Sequence, residues 1–140
     1  MTKDLKEMYN RLLLEKQKDP SGFEKREGAS HILEAFNPLC GDRFTLYLDI
    51  EDDHIKAASY HGYGCALSKV STALLIESLP GKSLDESKHV ITNYFSELKH
   101  ADQCSNDLVK DLSLARYFPG REQCTLLSWE TLWKYLTSKT

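Results

Sequence analysis

Residues 44–50, Phe44-Thr45-Leu46-Tyr47-Leu48-Asp49-Ile50, decide the fold class. Phe44, Leu46, Leu48 and Ile50 alternate with Thr45, Tyr47 and Asp49. Strand side chains point to opposite faces in turn, so this is the pattern of a strand buried on one side. Glu51-Asp52-Asp53-His54 follows with turn chemistry, and residues 55–63 read as the returning strand of a hairpin, with a less regular alternation. The sheet is therefore expected to be antiparallel.

Outward from the hairpin the period changes. Gly62-Tyr63-Gly64-Cys65 breaks the strand, and Leu67, Val70, Leu74 and Leu75 then form a helical stripe that stops near Pro80-Gly81. Ser83 and Glu86 have the S-x-x-E spacing of a capping box, ahead of a helix carrying Leu84, Ile91, Phe95 and Leu98. Residues 106–116 suggest a further short helix. After Pro119-Gly120 a last helix begins near Cys124, with Leu126, Trp129, Trp133 and Leu136 on one face and both tryptophans read as core. Upstream, Leu5, Met8, Leu12 and Leu13 mark an amphipathic helix over residues 4–18, ended by Asp19-Pro20-Ser21-Gly22. Between Gly22 and Pro38 no period dominates, and residues 31–36 fit either a short strand or an irregular segment. Helix, strands, then helices predict an α+β fold with helices packed on one face of an antiparallel sheet.

The chain has 140 residues, 41% of them hydrophobic and 28% charged, which suits one domain over residues 1–140 with a core of its own. Eighteen Lys and Arg stand against 21 Asp and Glu, interspersed, for a net charge of -3. That balance is a poor electrostatic footprint for nucleic acid or an anionic membrane, and neither is expected as a partner. The longest apolar run, Ala73-Leu74-Leu75-Ile76, is far short of the roughly 20 residues that span a bilayer. The charged start MTKDLKEMYNR has no apolar signal-peptide segment, so a cytoplasmic location is expected.

Four cysteines in a chain of this length are too sparse for a disulfide scaffold, and a reducing cytosol keeps thiols reduced. Three of them stand where elements meet: Cys40 before the first clear strand, Cys65 between strand and helix, Cys124 near the start of the last helix. Asp42 follows Cys40 across Gly41, so a turn there can aim a thiolate and a carboxylate at one point. Three sulfurs and a carboxylate make a feasible tetrahedral set for zinc, and part of the thiolate set of an iron-sulfur centre. Gly62 and Gly64 fit such a site, because a backbone without Cβ turns tightly and allows close approach. The spacing alone equally admits buried core thiols, since no C-x-x-C pair is present. Cys104, in a polar run, reads as an ordinary cysteine, and His31, His54, His61, His89 and His100 follow no ligand pattern.

Asn37-Pro38-Leu39-Cys40-Gly41-Asp42 resembles the N-P-x-C-G-D signature of the iron-sulfur assembly proteins of the IscU, NifU and SufU group. Gly62-Tyr63-Gly64-Cys65-Ala66-Leu67-Ser68 is similar to the group's G-x-G-C segment, and Gln123-Cys124-Thr125-Leu126-Leu127-Ser128-Trp129 to its third cysteine segment. The resemblance runs from Tyr9 to Tyr135 and is weak between Ser21 and Leu33. It implies a three-stranded IscU/NifU-like fold.

Within the group the resemblance points to the SufU branch. Fifty-eight residues separate Cys65 from Cys124, and Phe118-Pro119-Gly120-Arg121 looks like that branch's F-P-x-R segment. Gln123 stands where the scaffold branch carries a ligating His and where SufU commonly has Lys, and Val70-Ser71 where small residues are frequent. The SufU resemblance implies zinc held by Cys40, Asp42, Cys65 and Cys124, with Cys40 as the sulfur acceptor and Arg121 contacting a PLP-dependent, SufS-like cysteine desulfurase. The implied function is to take persulfide sulfur from that enzyme and pass it to downstream iron-sulfur assembly proteins. The alternative is an IscU-type scaffold that uses iron and assembles and transfers a [2Fe-2S] cluster.

Overall fold

The computed structural model describes residues 22–38, 41–100, 107–113, 115 and 122–138. Three strands, β1 (His31–Asn37), β2 (Asp42–Glu51) and β3 (His54–Tyr63), form one antiparallel sheet in the order β1-β2-β3. Four helices follow: α1 (Ala66–Ser78), α2 (Leu84–Lys99), α3 (Asp107–Leu112) and α4 (Glu122–Thr137). The helix expected at residues 4–18 lies outside the described residues.

The alternation in β2 sets the two faces of the sheet. Phe44, Leu46 and Leu48 pair with Ala35, Leu33 and His31 on one side and with Gly62, Tyr60 and Ala58 on the other. Phe44, Leu46, Leu48 and Tyr60 are fully buried and join Leu67, Val70, Leu75, Ile91, Leu112, Trp129, Leu132 and Leu136 in one core. The helices thus cover this face, as the sequence pattern predicts. Trp129 is buried and stacks on Tyr94 with ring centroids 3.6 Å apart, whereas Trp133 is only half-buried at the core margin.

The irregular alternation of β3 has a structural cause. Asp49 pairs with Ala57 but Ile50 pairs with Ile55, so Lys56 is an extra residue on β3. A bulge reverses the facing of every residue beyond it. Ile55 is therefore buried on the same face as Tyr60 although the two differ in parity. The β2-β3 connection is a two-residue turn with Asp52 and Asp53 at φ 53° and 59°. Two consecutive left-handed residues match the right-handed twist of a hairpin, and Asp tolerates that conformation better than most side chains do.

A strap closes part of the other face. Tyr60 N–H donates to Gly22 O (2.9 Å) and Phe23 bridges to Tyr60 along β3, whereas β1 occupies the opposite edge of the sheet. The intervening residues cross the face away from the helices, where Arg26 pairs with Asp49. Ser30 then extends the strand pairing, its Oγ donating to Leu48 O and accepting from Ile50 N–H.

Candidate metal centre

Asp42, Cys65 and Cys124 come from three different elements and meet at one end of the sheet. Asp42 is the first residue of β2, entered through Gly41 at φ +76°, a turn that glycine adopts without strain. Cys65 is the N-cap of α1, and Cys124 lies in the first turn of α4. One ligand atom from each, the carboxylate oxygen and two sulfurs, falls within 4.8 Å of the others. Asp42 and Cys124 are buried and Cys65 is half-buried, with neither cysteine in a disulfide. Cys40, Cys104 and Arg121 lie outside the described residues.

Local backbone chemistry holds the three in place. Cys65 N–H donates to Asp42 Oδ1 at 3.0 Å, which ties the helix start to the strand start. The Cys65 carbonyl accepts from Lys69 N–H and from Ser68 Oγ, and its thiol lies 3.6 Å from Ser68 Oγ. Gly62 has φ +142°, and a Cβ there would stand 2.1 Å from Arg43 O. A Cβ on Gly64 would meet Ser68 Oγ at 2.6 Å and Asp42 Oδ1 at 2.8 Å. The expected role of Gly64 is thus refined: what approaches closely in its space is the Asp42 carboxylate.

The electrostatics favour a thiolate. The Cys65 thiol is pushed down from 9.0 to about 5, first by a hydrogen bond from the Cys124 thiol and further by the Ser68 backbone and side chain. Burial and the Asp42 charge oppose this without reversing it. The first turn of α1 contributes in the same sense, because unsatisfied N–H groups at a helix start stabilise a negative charge.

This donor set fits a thiophilic divalent cation. A carboxylate and a thiolate share a mostly buried space, and two anions so placed are costly without a countercharge. In tetrahedral zinc, with Zn–S about 2.3 Å and Zn–O about 2.0 Å, ligand atoms lie about 3.5–3.8 Å apart. The separations in the cluster, all within 4.8 Å, are compatible with that spacing. Ser68 was not singled out from the sequence; its signal is the C-x-x-S spacing, which sets a hydroxyl over an N-cap thiol. Among the described residues, no histidine belongs to the cluster. Gln123, beside Cys124, is exposed.

The NifU-like N-terminal domain model matches residues 8–116. The chain is 30% identical over 130 residues to the iron-sulfur cluster assembly scaffold protein IscU of Thermotoga maritima, covering 91% of each. It is 25% identical over 138 residues to the zinc-dependent sulfurtransferase SufU of Bacillus subtilis, covering 94% of this chain and 90% of that one. A crystal structure of a putative iron-sulfur cluster assembly scaffold protein for the SUF system, from Fervidobacterium islandicum, superposes with a TM-score of 0.73 at 29% identity. That match covers 86% of this chain and 90% of the other.

Proposed function

The chain belongs to the NifU-like N-terminal domain family, and from that membership we propose a zinc-bound sulfur acceptor in cytoplasmic iron-sulfur cluster assembly. The observation that carries this reading is the convergence of Asp42, Cys65 and Cys124, two sulfurs and one oxygen within 4.8 Å. Cys40, two residues before Asp42, is the proposed fourth ligand and the acceptor. The mixed donor set supports zinc over an all-thiolate cluster, and an exposed amide at Gln123 in place of the scaffold branch's His supports it further.

Zinc, when bound, favours the deprotonated sulfur, which is the nucleophilic form. The Cys40 thiolate attacks the outer sulfur of the desulfurase persulfide. The old S–S bond breaks, the desulfurase cysteine leaves as a thiolate, and Cys40 becomes the persulfide. One sulfur atom moves with no net oxidation, and the new persulfide is the form passed on. Arg121 is proposed to contact the desulfurase, a PLP-dependent enzyme, from the segment leading into α4.

Protein purified without added metal is expected to be colourless with one zinc per chain by elemental analysis. A brown protein with iron and labile sulfide would instead support the [2Fe-2S] scaffold and overturn the acceptor reading. Cys40→Ala is expected to abolish stimulation of the cognate desulfurase while the far-UV circular dichroism stays that of wild type. Full stimulation by that variant would remove Cys40 as acceptor.

A further inference from the structure

The two helices that carry Cys65 and Cys124 meet along a line of buried hydroxyls. Ser68, Ser71 and Thr72 on α1 face Thr125 and Ser128 on α4, and all five are buried. A buried hydroxyl without a partner is costly, and alanine or valine would fill the same space without that penalty. Here the hydroxyls form two bridges. Ser71 Oγ donates to Thr125 O at 2.8 Å, next in sequence to Cys124, and accepts from Trp129 Nε1 at 3.0 Å. Ser128 Oγ and Thr72 Oγ1 lie 2.6 Å apart. Because Thr72 Oγ1 donates to Ser68 O at 2.7 Å, the proton on the interhelical bond is that of Ser128. Ser68 in turn donates to Cys65 O and touches Cys65 Sγ. One bridge begins beside Cys124 and the other ends at Cys65.

Apolar contacts between helices are non-directional and allow sliding, whereas hydrogen bonds fix register. A slip of one residue moves a helix by about 1.5 Å, and metal-ligand distances are held to about 0.2 Å. We propose that Ser71 and Ser128 are positioning residues: their hydroxyls lock α4 against α1 and so set the separation of the Cys65 and Cys124 thiols for metal binding. This inference rests on the metal-site reading above.

The test is the double variant Ser71→Ala/Ser128→Ala. It orphans no buried donor. Trp129 Nε1 keeps the carbonyl of residue 71 at 3.1 Å, Thr125 O keeps the Tyr94 hydroxyl at 2.7 Å, and Thr72 keeps Ser68 O. Zinc affinity is measured by competition with a chromophoric chelator, and site geometry by the ligand-field and sulfur-to-metal charge-transfer bands of the cobalt(II)-loaded protein. The double variant is expected to lose about tenfold in zinc affinity or more, the range typical of outer-sphere changes at metal sites, with shifted cobalt bands. Tyr94→Phe serves as the control: it removes a buried hydroxyl that bonds Thr125 O and lies 3.1 Å from Ser71 Oγ, but leaves the Ser71–Thr125 and Ser128–Thr72 bonds between α1 and α4 in place. Its zinc affinity and cobalt spectrum are expected to match wild type even where its thermal stability falls. A double variant that loses stability yet keeps wild-type affinity and spectrum overturns the positioning role and leaves the metal site standing. Wild-type protein that takes up neither zinc nor cobalt overturns the metal-site reading, and the positioning role with it.

Discussion

Cys65 shows how a single position gathers chemistry from its surroundings. As N-cap of α1 it gives its carbonyl to the helix and its N–H to Asp42, so the thiol is the one group left to face the site. The Cys124 hydrogen bond is the largest cause of its depressed pKa, near 5 against an ordinary 9.0. A group whose folded pKa is lowered adds stability that is fully present above its unfolded pKa and is lost as pH falls through the folded one. Metal-free protein should therefore lose this contribution progressively from about pH 9 to about pH 5. The same depression predicts reactivity, because the thiolate is the alkylating form. Iodoacetamide labelling of Cys65 in metal-free protein, followed by peptide mass spectrometry across pH, is expected to show a midpoint near 5. In Cys124→Ala the midpoint should move up toward the ordinary thiol range. An unmoved midpoint would eliminate the Cys124 thiol as the donor.

Among the elements, the hairpin end of the sheet is fastened independently of the metal centre. Ser83 caps α2 with the full reciprocal box, its side chain accepting from Glu86 N–H and Glu86 accepting from Ser83 N–H, both at 3.0 Å. Leu84 N–H also reaches Asp53 O in the β2-β3 turn, and Ile55 N–H reaches Lys82 O. Ser83→Ala is expected to cost about 1 kcal/mol, a melting-temperature loss of about 2–4 °C for a domain of this class, while Ser83→Asp restores most of it. Zinc uptake should be unchanged, since the cap lies at the opposite end of the sheet from Asp42; a coupled loss would show that the two ends are not independent. This box was legible in the sequence because capping is local, as was β2, whose alternation is unbroken. β1 was not, because Ile32 and Phe36 are apolar yet exposed on the outer face and blur the period set by Leu33 and Ala35. In β3 the inserted Lys56 reversed the parity, which no local pattern announces. The site divides in the same way. Cys40, Asp42, Cys65 and Cys124 all sit in recognisable segments, whereas the arrival of Cys124 beside Asp42 and Cys65 depends on how α4 packs on α1, and the hydroxyls along that contact look like ordinary surface serines and threonines in a linear reading.

For the molecule as a whole, the candidate centre is a junction: Asp42 anchors the sheet, Cys65 the first helix and Cys124 the last, so a bound ion would join layers that are otherwise held by the core and the hydroxyl bridges. Such a ligand set does not persist in an unfolded chain, and a ligand that binds the folded state alone stabilises it by mass action. At a free zinc concentration one hundred times the dissociation constant the gain is about 2.7 kcal/mol. At about 2–4 °C per kcal/mol, that corresponds to a rise of about 5–11 °C in melting temperature. The measurement is calorimetric, comparing protein stripped with a chelator against the same protein with zinc restored. Asp42→Asn is the informative variant, because the amide oxygen can still accept from Cys65 N–H and preserve the local backbone while the negative charge that makes the carboxylate a strong metal ligand is lost. Its metal-free melting temperature should lie near that of metal-free wild type, and its zinc-induced rise should be much smaller. An equal rise in both proteins would take Asp42 out of the ligand set and leave the carboxylate with a purely structural part at the start of α1.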